Sequence, residues 1–231
     1  MNKLCLLVLF LILTLASFGQ LCFSEAELIM QSRHVWRGEK LGTAPTVEPS
    51  VTFASGRLSF NVWAAKTLNN SYSEINLVPA FQFKYLQLTL FDYYNPVQGE
   101  KNRFLIFQNG KNRHSVELTL DNYSVEEQKL KWMVGTFLLG DKNKETGHPY
   151  FSSYVEVKYP FKVVGIETEP FLGITPFQGY YAGKLALVNT GISFSKEISI
   201  SSYFSIPLNL SFISNPYTRN SFVIFAAGIA F

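Results

Sequence analysis

The sequence predicts an all-β fold, a transmembrane antiparallel up-and-down β-barrel of about twelve strands. Three observations carry this. Segments of roughly ten residues alternate apolar and polar side chains, the length a tilted strand needs to cross a bilayer. The connections between segments alternate long and short along the chain. The last segment places Val223, Phe225, Ala227, Ile229 and Phe231 on one face by the two-residue period of a strand, an apolar stripe that runs to a terminal aromatic.

The chain opens with a secretory signal over residues 1–19, which leaves 20–231 for the barrel. Lys3 supplies the positive start, residues 4–15 the apolar stretch, and Ser17, Phe18 and Gly19 a small-x-small cleavage site before Gln20. The apolar stretch is too short for a helical span, which needs about 20 residues. Cys5 leaves with the signal, so Cys22 is the only mature thiol and no intramolecular disulfide forms. A lipid-anchored Cys22 is disfavoured because Gln20 and Leu21 lack the small residues of a lipoprotein processing site. Removing Lys3 with the signal leaves 19 basic and 17 acidic residues, a net charge of +2 that gives no reason to expect a nucleic-acid partner. Twelve Tyr and 21 Phe suit either a large β-core or a lipid-facing surface with aromatic girdles.

Taken in order, Leu58, Phe60, Val62 and Ala64 alternate with Arg57, Ser59, Asn61 and Trp63. Ile75, Leu77, Pro79, Phe81 and Phe83 alternate with Glu74, Asn76 and Gln82. Val116, Leu118 and Leu120 oppose Ser115, Glu117, Thr119 and Asp121. Val155, Val157 and Tyr159 face away from Tyr154, Glu156 and Lys158. Ile198, Ile200, Phe204, Ile206 and Leu208 share a face opposite Ser199, Ser201, Tyr203, Ser205 and Asn209. One face is apolar throughout and the other polar or charged, a pattern that a soluble β-sandwich would share. Pro79, Pro170 and Pro207 each remove a ladder donor from a strand.

The connections separate the two architectures. Longer breaks at 38–45, 67–71, 97–112, 141–149, 177–183 and 214–220 alternate with short ones at 55–56, 84–85, 122–127, 160–162 and 196–197. A barrel does this when one rim carries extended extracellular loops and the other short periplasmic turns. Entry from the periplasm then gives an even strand count and returns Phe231 to the same side. A short apolar stretch at 104–107 interrupts the longest loop, as a strand extension or an inward-folded segment. Trp36, Tyr93, Tyr94, Tyr150, Tyr180 and Tyr217 fall near the long-loop rim and Tyr85, Tyr123 and Tyr159 near the short-turn rim, where aromatic rings favour the membrane interface.

The terminal stripe ending at Phe231 resembles the closing strand of bacterial outer-membrane proteins, which implies recognition by the outer-membrane assembly machinery. Ser32, Arg33, His34, Val35, Trp36, Arg37 and Gly38, followed by Pro45 and by Glu48, Pro49 and Ser50, resemble the opening of the TorF-type porin family of Gram-negative bacteria. That family opens on an S-x-[aromatic]-x-x-R-G strand end, and His34 stands here where an aromatic is more usual. Trp63, then Ser73, Glu74, Ile75 and Asn76, then Asp92, Tyr93, Tyr94 and Pro96, then His114, Ser115, Val116 and Glu117 extend the likeness over the first half of the mature chain. The resemblance implies an outer-membrane barrel of porin type. It brings no established substrate and no functional residues.

Alternation turns Glu48, Arg57, Glu74, Glu117, Lys131, Glu156, Lys158, Glu167 and Glu169 inward, with Arg33 or Arg37 depending on the first strand's register. Such groups either line a water-filled pore or neutralise one another in a plug of ion pairs. Their excess of Glu favours cations. Arg37, Gly38, Glu39 and Lys40 form the best motif, an arginine aimed at a constriction or at lipopolysaccharide phosphates, or one paired with a neighbouring strand's carboxylate. Nucleophilic catalysis needs a Ser within hydrogen-bond reach of a His. His114 and Ser115 are strand neighbours on opposite faces, no G-x-S-x-G elbow exists, and His34, His114 and His148 lack metal-ligand spacing. The expectation is a porin-like outer-membrane channel for small polar solutes or ions, without cofactor, in contact with outer-membrane lipid and lipopolysaccharide. The alternatives are a non-conducting barrel with a binding or structural role, a secreted β-sandwich and a lipid-modifying barrel enzyme.

Overall fold

The computed structural model describes residues 21–106, 113–142 and 146–231; the expected signal, Gln20 and Phe107 lie outside them. Among the described residues every regular element is a strand. β1 (Cys22–Gln31) is followed by a small hairpin of β2 (His34–Trp36) and β3 (Glu39–Leu41). Then come β4 (Thr46–Ser55), β5 (Leu58–Thr67), β6 (Ser73–Gln82), β7 (Gln87–Tyr94), β8 (His114–Asp121), β9 (Lys131–Leu139) and β10 (Ser153–Lys158). A short β11 (Phe161–Val163) leads into β12 (Ile166–Thr175), β13 (Ala186–Ser201), β14 (Phe204–Asn215) and β15 (Asn220–Ala230).

Each wall strand pairs antiparallel with its neighbour in sequence, β1 pairs with both β4 and β15, and β10 pairs with β12. That last ladder closes the sheet. With β11 hanging from the edge of β12 and the β2–β3 hairpin forming its own sheet, twelve strands make a continuous ring. The barrel form expected from alternation is therefore the fold, and closure removes the exposed edges that a flat sheet of this size would carry.

The distribution of side chains is inverted relative to a water-soluble protein. Val223 and Phe225 on β15 are 62% and 55% exposed, and Leu28, Leu118, Leu172 and Phe212 also face outward. Glu48, Glu74, Asn76, Glu117, Thr119, Glu156 and Asn189 are buried. Among the described residues no second sheet covers the apolar face and the main sheet closes on itself, so the sandwich alternative does not hold. Hydrocarbon is the solvent that makes such a surface favourable, because every backbone polar group of a closed barrel is satisfied within the wall.

The two rims differ as expected. Loops 32–45, 68–72, 176–185 and 216–219 and the described parts of 95–113 and 140–152 gather at one end, and the short turns, Leu21 and Phe231 at the other. Gly56 at φ 58 opens the tight β4–β5 connection, where only a residue tolerant of positive φ fits easily. Three short connections differ from the expectation. Lys196 and Glu197 lie inside β13, which continues to Ser201 before turning at 202–203, because the alternation runs on through this charged pair. Pro160 does not turn the chain; it interrupts one edge between β10 and β11, and Val164 and Gly165, at φ 50 and 75, make the actual turn. The β8–β9 connection covers 122–130, with Val125 buried.

Candidate functional site

The first long loop does not extend into solvent. Its β2–β3 hairpin folds into the lumen, so that residues close in sequence to β1 and β4 reach the opposite wall. Arg37 and Gly38 form the two-residue tip, at φ 48 and 78, the pair of positive values that a type I′ hairpin requires. Gly38 suits this conformation, and a Cβ on it would collide with the carbonyl of Val188 on β13. Arg37 is held in a sparsely populated region that costs an ordinary side chain about 1–3 kcal/mol, so its contacts must over-determine it.

They do. The guanidinium donates Nη1 to Glu117 Oε1 at 2.6 Å and Nη2 to Glu117 Oε2 at 3.1 Å, the parallel geometry of a forked pair. It also donates to the Tyr181 hydroxyl and lies 4.6 Å from the Trp36 ring centre and 4.5 Å from that of Tyr154. The Glu117 side chain is 0% exposed, and its Oε2 accepts a second bond from the Tyr93 hydroxyl at 2.7 Å. Gly135 on β9 makes room for this carboxylate, since a Cβ there would meet Glu117 Oε1. Gly173 on β12 does the same for the Tyr154 hydroxyl. Trp36 packs among Tyr93, Phe137, Tyr180 and Tyr181, and Asn215 on β14 donates to the Gly38 carbonyl at 3.4 Å.

Two more polar clusters flank this pair. At the root of the hairpin His34 Nδ1 lies 2.9 Å from Glu48 Oε1, with Gln31 bonded to the same carboxylate. The His34 ring stacks against Tyr72 and tilts onto Trp63. Glu74 accepts from Tyr72, from Asn76 at 2.7 Å and from Asn95 at 2.8 Å. Below the tip, Glu156 accepts from Tyr154 at 2.5 Å, Tyr123 at 2.9 Å and Asn189 at 3.0 Å. Lys158 bridges Glu156 at 3.5 Å and Glu169 at 3.2 Å.

The structure thus brings Arg37, Glu48, Glu74, Glu117, Glu156, Lys158 and Glu169 into the lumen. It places others elsewhere. Arg57 is exposed in the β4–β5 turn, and Glu167 pairs with Lys162 at 2.6 Å on the exposed end of the β11–β12 hairpin. Lys131 donates to the Val125 carbonyl within its own turn, and Arg33 is half-buried before β2 with no ion pair among the described residues. Trp36, Tyr93 and Tyr180 lie in the lumen rather than in a rim girdle. Tyr85 and Tyr159 stand exposed at the short-turn end. Their inward partners share the same residue type, which is why spacing along the sequence did not tell girdle from plug.

Above the hairpin, on the long-loop side, an open cavity of about 200 Å³ is bounded by Trp36, Tyr72, Tyr93, Phe137 and Tyr180, with Glu74 and Asp141 among its walls. Burial first, and then the charges of Glu39, Glu74 and Asp141, raise the Tyr180 hydroxyl above its ordinary value. The histidines stay apart. Ser115 borders the cavity, while its neighbour His114 points to the outer face, 2.8 Å from Asp92 and 2.7 Å from the Phe104 carbonyl. His148 is exposed in its loop. Among the described residues no three His, Cys, Asp or Glu side chains are placed to hold a metal ion.

No family model matches the sequence, and no curated protein matches it. Solved structures with a similar arrangement include the COG4313 outer membrane channel from Pseudomonas putida F1, 10% identical over 92% of this chain and 96% of that one, with a TM-score of 0.43. Pseudomonas aeruginosa OccK1 (OpdK) is 12% identical over 90% of this chain and 59% of its own, with a TM-score of 0.32. A protein solved in work on the in-meso crystallization of membrane proteins is 8% identical over 91% and 83% of the two chains, with a TM-score of 0.48.

Proposed function

We propose that this protein is a porin-like channel of a Gram-negative outer membrane, passing small polar solutes or ions through a narrow charged lumen. The observation that supports it most is the inverted barrel: an uncovered apolar exterior around buried Glu48, Glu74, Glu117 and Glu156. A closed ring with that polarity is stable in a bilayer and offers water a polar path. The likeness of Ser32, Trp36, Arg37 and Gly38 to the TorF-type opening points the same way, and in this chain that motif is the inserted hairpin. The C-terminal strand ending at Phe231 is the segment offered to the assembly machinery, and the outer band meets lipid and lipopolysaccharide.

In the state described here the hairpin occupies the lumen's long-loop half, so passage depends on solute moving beside it or on its displacement. The lumen carries more carboxylates than fixed cations: Glu48, Glu74, Glu117, Glu156 and Glu169 against Arg37 and Lys158. That imbalance favours cations. The test is reconstitution of the mature chain in planar bilayers. Steps of conductance with a cation-favouring reversal potential are expected, and protein that migrates faster unboiled than boiled yet never conducts would refute the channel.

That outcome would favour a second reading, a non-conducting barrel with a binding or structural role. Its specific support is the hairpin itself, locked by a buried ion pair rather than loosely placed.

A further inference from the structure

The cavity above the hairpin has a composition that the channel reading does not by itself require. Five aromatic rings, those of Trp36, Tyr72, Tyr93, Phe137 and Tyr180, wall it, and among the described residues no lysine or arginine side chain lines it. The carboxylates of Glu74 and Asp141 supply negative charge from two different walls, one at the start of β6 and one after β9. Glu74 is saturated by Tyr72, Asn76 and Asn95. Asp141 uses Oδ2 to accept from the Ser152 amide at 2.8 Å, and its Oδ1 accepts nothing among the described residues.

This aromatic lining already accommodates a cation from within the chain. The Arg37 guanidinium rests 4.6 Å from the centre of the Trp36 ring, in the arrangement by which the negative face of an indole attracts positive charge. A neutral solute would gain the aromatic surface and nothing from the carboxylates. An anion would meet two like charges, Glu74 and Asp141, on the cavity walls. A compact organic cation gains from both, because aromatic faces replace part of its hydration while the carboxylates balance its charge.

We infer that the cavity between the inserted hairpin and Tyr72, Asp141 and Tyr180 is a binding site for small organic cations of the alkylammonium class. The inference deepens the channel reading by naming the solute class received at the long-loop mouth, and it rests on that reading for the role of the site. Asp141 is the charged contact, and Tyr180 the ring contact that can be changed without touching the hairpin's ion pair.

Choline chloride is the probe, and 3,3-dimethylbutan-1-ol its neutral isostere, each titrated by calorimetry into the folded mature chain in detergent. Saturable choline binding is expected, with the isostere weaker by about tenfold or more. Asp141→Asn retains an oxygen for the Ser152 amide and should weaken choline about five- to tenfold while leaving the isostere unchanged. Tyr180→Ala should weaken both. The heat-dependent shift in electrophoretic mobility verifies that each variant is a closed barrel. Equal binding of the two probes, absence of saturable choline binding to the native chain, or an Asp141→Asn variant that binds choline as the native chain does would overturn the site. Because calorimetry needs no current, a chain that binds choline but never conducts would sink the channel reading and leave the site standing.

Discussion

The long-loop half of the lumen and its short-turn half are built from the same strands and differ in what fills them. In the upper half Thr46, Glu48, Glu74, Glu117, Tyr154, Glu156 and Asn189 are all buried, with Glu48 and Glu117 bonded to the hairpin and Tyr154, Glu156 and Asn189 to one another. In the lower half Ser50, Thr52, Asn61, Ser195, Asn209, Ala226 and Gly228 occupy the corresponding inward positions and remain partly exposed. The lower lumen is therefore open to water. What fills the upper half is fourteen residues of loop, 32–45, folded inward and fastened at one arginine.

The largest expected effect follows from releasing that fastening. Arg37→Ala removes one partner of a fully buried pair and strands the Glu117 carboxylate, a loss of about 3–5 kcal/mol by comparison with other buried pairs. The hairpin should leave its seat and single-channel conductance should rise, with the barrel still heat-modifiable on a gel. Gly38→Ala should act in the same direction by a different route, since its Cβ would run into the Val188 backbone at a positive φ. Unchanged conductance in both variants would mean that wall side chains, not the hairpin, set the resistance.

The wall was far more legible in the sequence than its contents. Alternation in 115–121 and in 223–231 fixes which face meets lipid, because the period of a strand leaves no choice once one side must be apolar. Inward carboxylates such as Glu117 and Glu156 follow from the same parity. The fold of the first loop does not, because insertion depends on contacts between Arg37 and residues 80 and 144 positions away. Periodicity carries no information at that separation. Tyr181 and Asn189 were missed for the same reason, Tyr154 was placed on the inward face but not joined to Arg37, and the one local hint was the Arg37–Gly38 pair, a turn signal placed where a loop was already expected. The charged pair Lys196 and Glu197 misled in the opposite sense. In a barrel a charged doublet near the rim can stay in the strand, one side chain in the lumen and the other reaching toward the headgroups.

A smaller effect separates charge from mere occupancy within the upper half. Glu117→Gln keeps an acceptor for Arg37 and Tyr93 but removes the charge, so a loss of about 1.5–3 kcal/mol is expected, the scale of a charge-assisted hydrogen bond. The hairpin should then open part of the time, seen as flicker between two current levels rather than a permanent rise. Smaller still is the effect of the lower mouth, where Glu27 and Glu197 face the lumen and Glu197 accepts from Ser205 at 2.5 Å. Changing both to Gln should shift the reversal potential toward non-selectivity without altering the current level. These groups are bathed in electrolyte, and each contributes about 1 kcal/mol or less.

The smallest effect lies outside the lumen and tests whether the rim loops share the hairpin's rigidity. Glu100 accepts two bonds from the Arg113 guanidinium, at 2.8 and 2.9 Å, across the described part of loop 95–113. These bonds hold its carboxyl below the usual value. A depressed folded-state value means that the contribution is present above the unfolded carboxyl's range and is lost as pH falls through the folded one. Amide exchange in 95–106 should therefore rise below about pH 4.5, with Glu100→Gln showing the faster exchange already at neutral pH. The pair is exposed, so added salt should produce much of the same change, whereas the Arg37–Glu117 pair, shielded from water, should hold the hairpin in place through the same salt range.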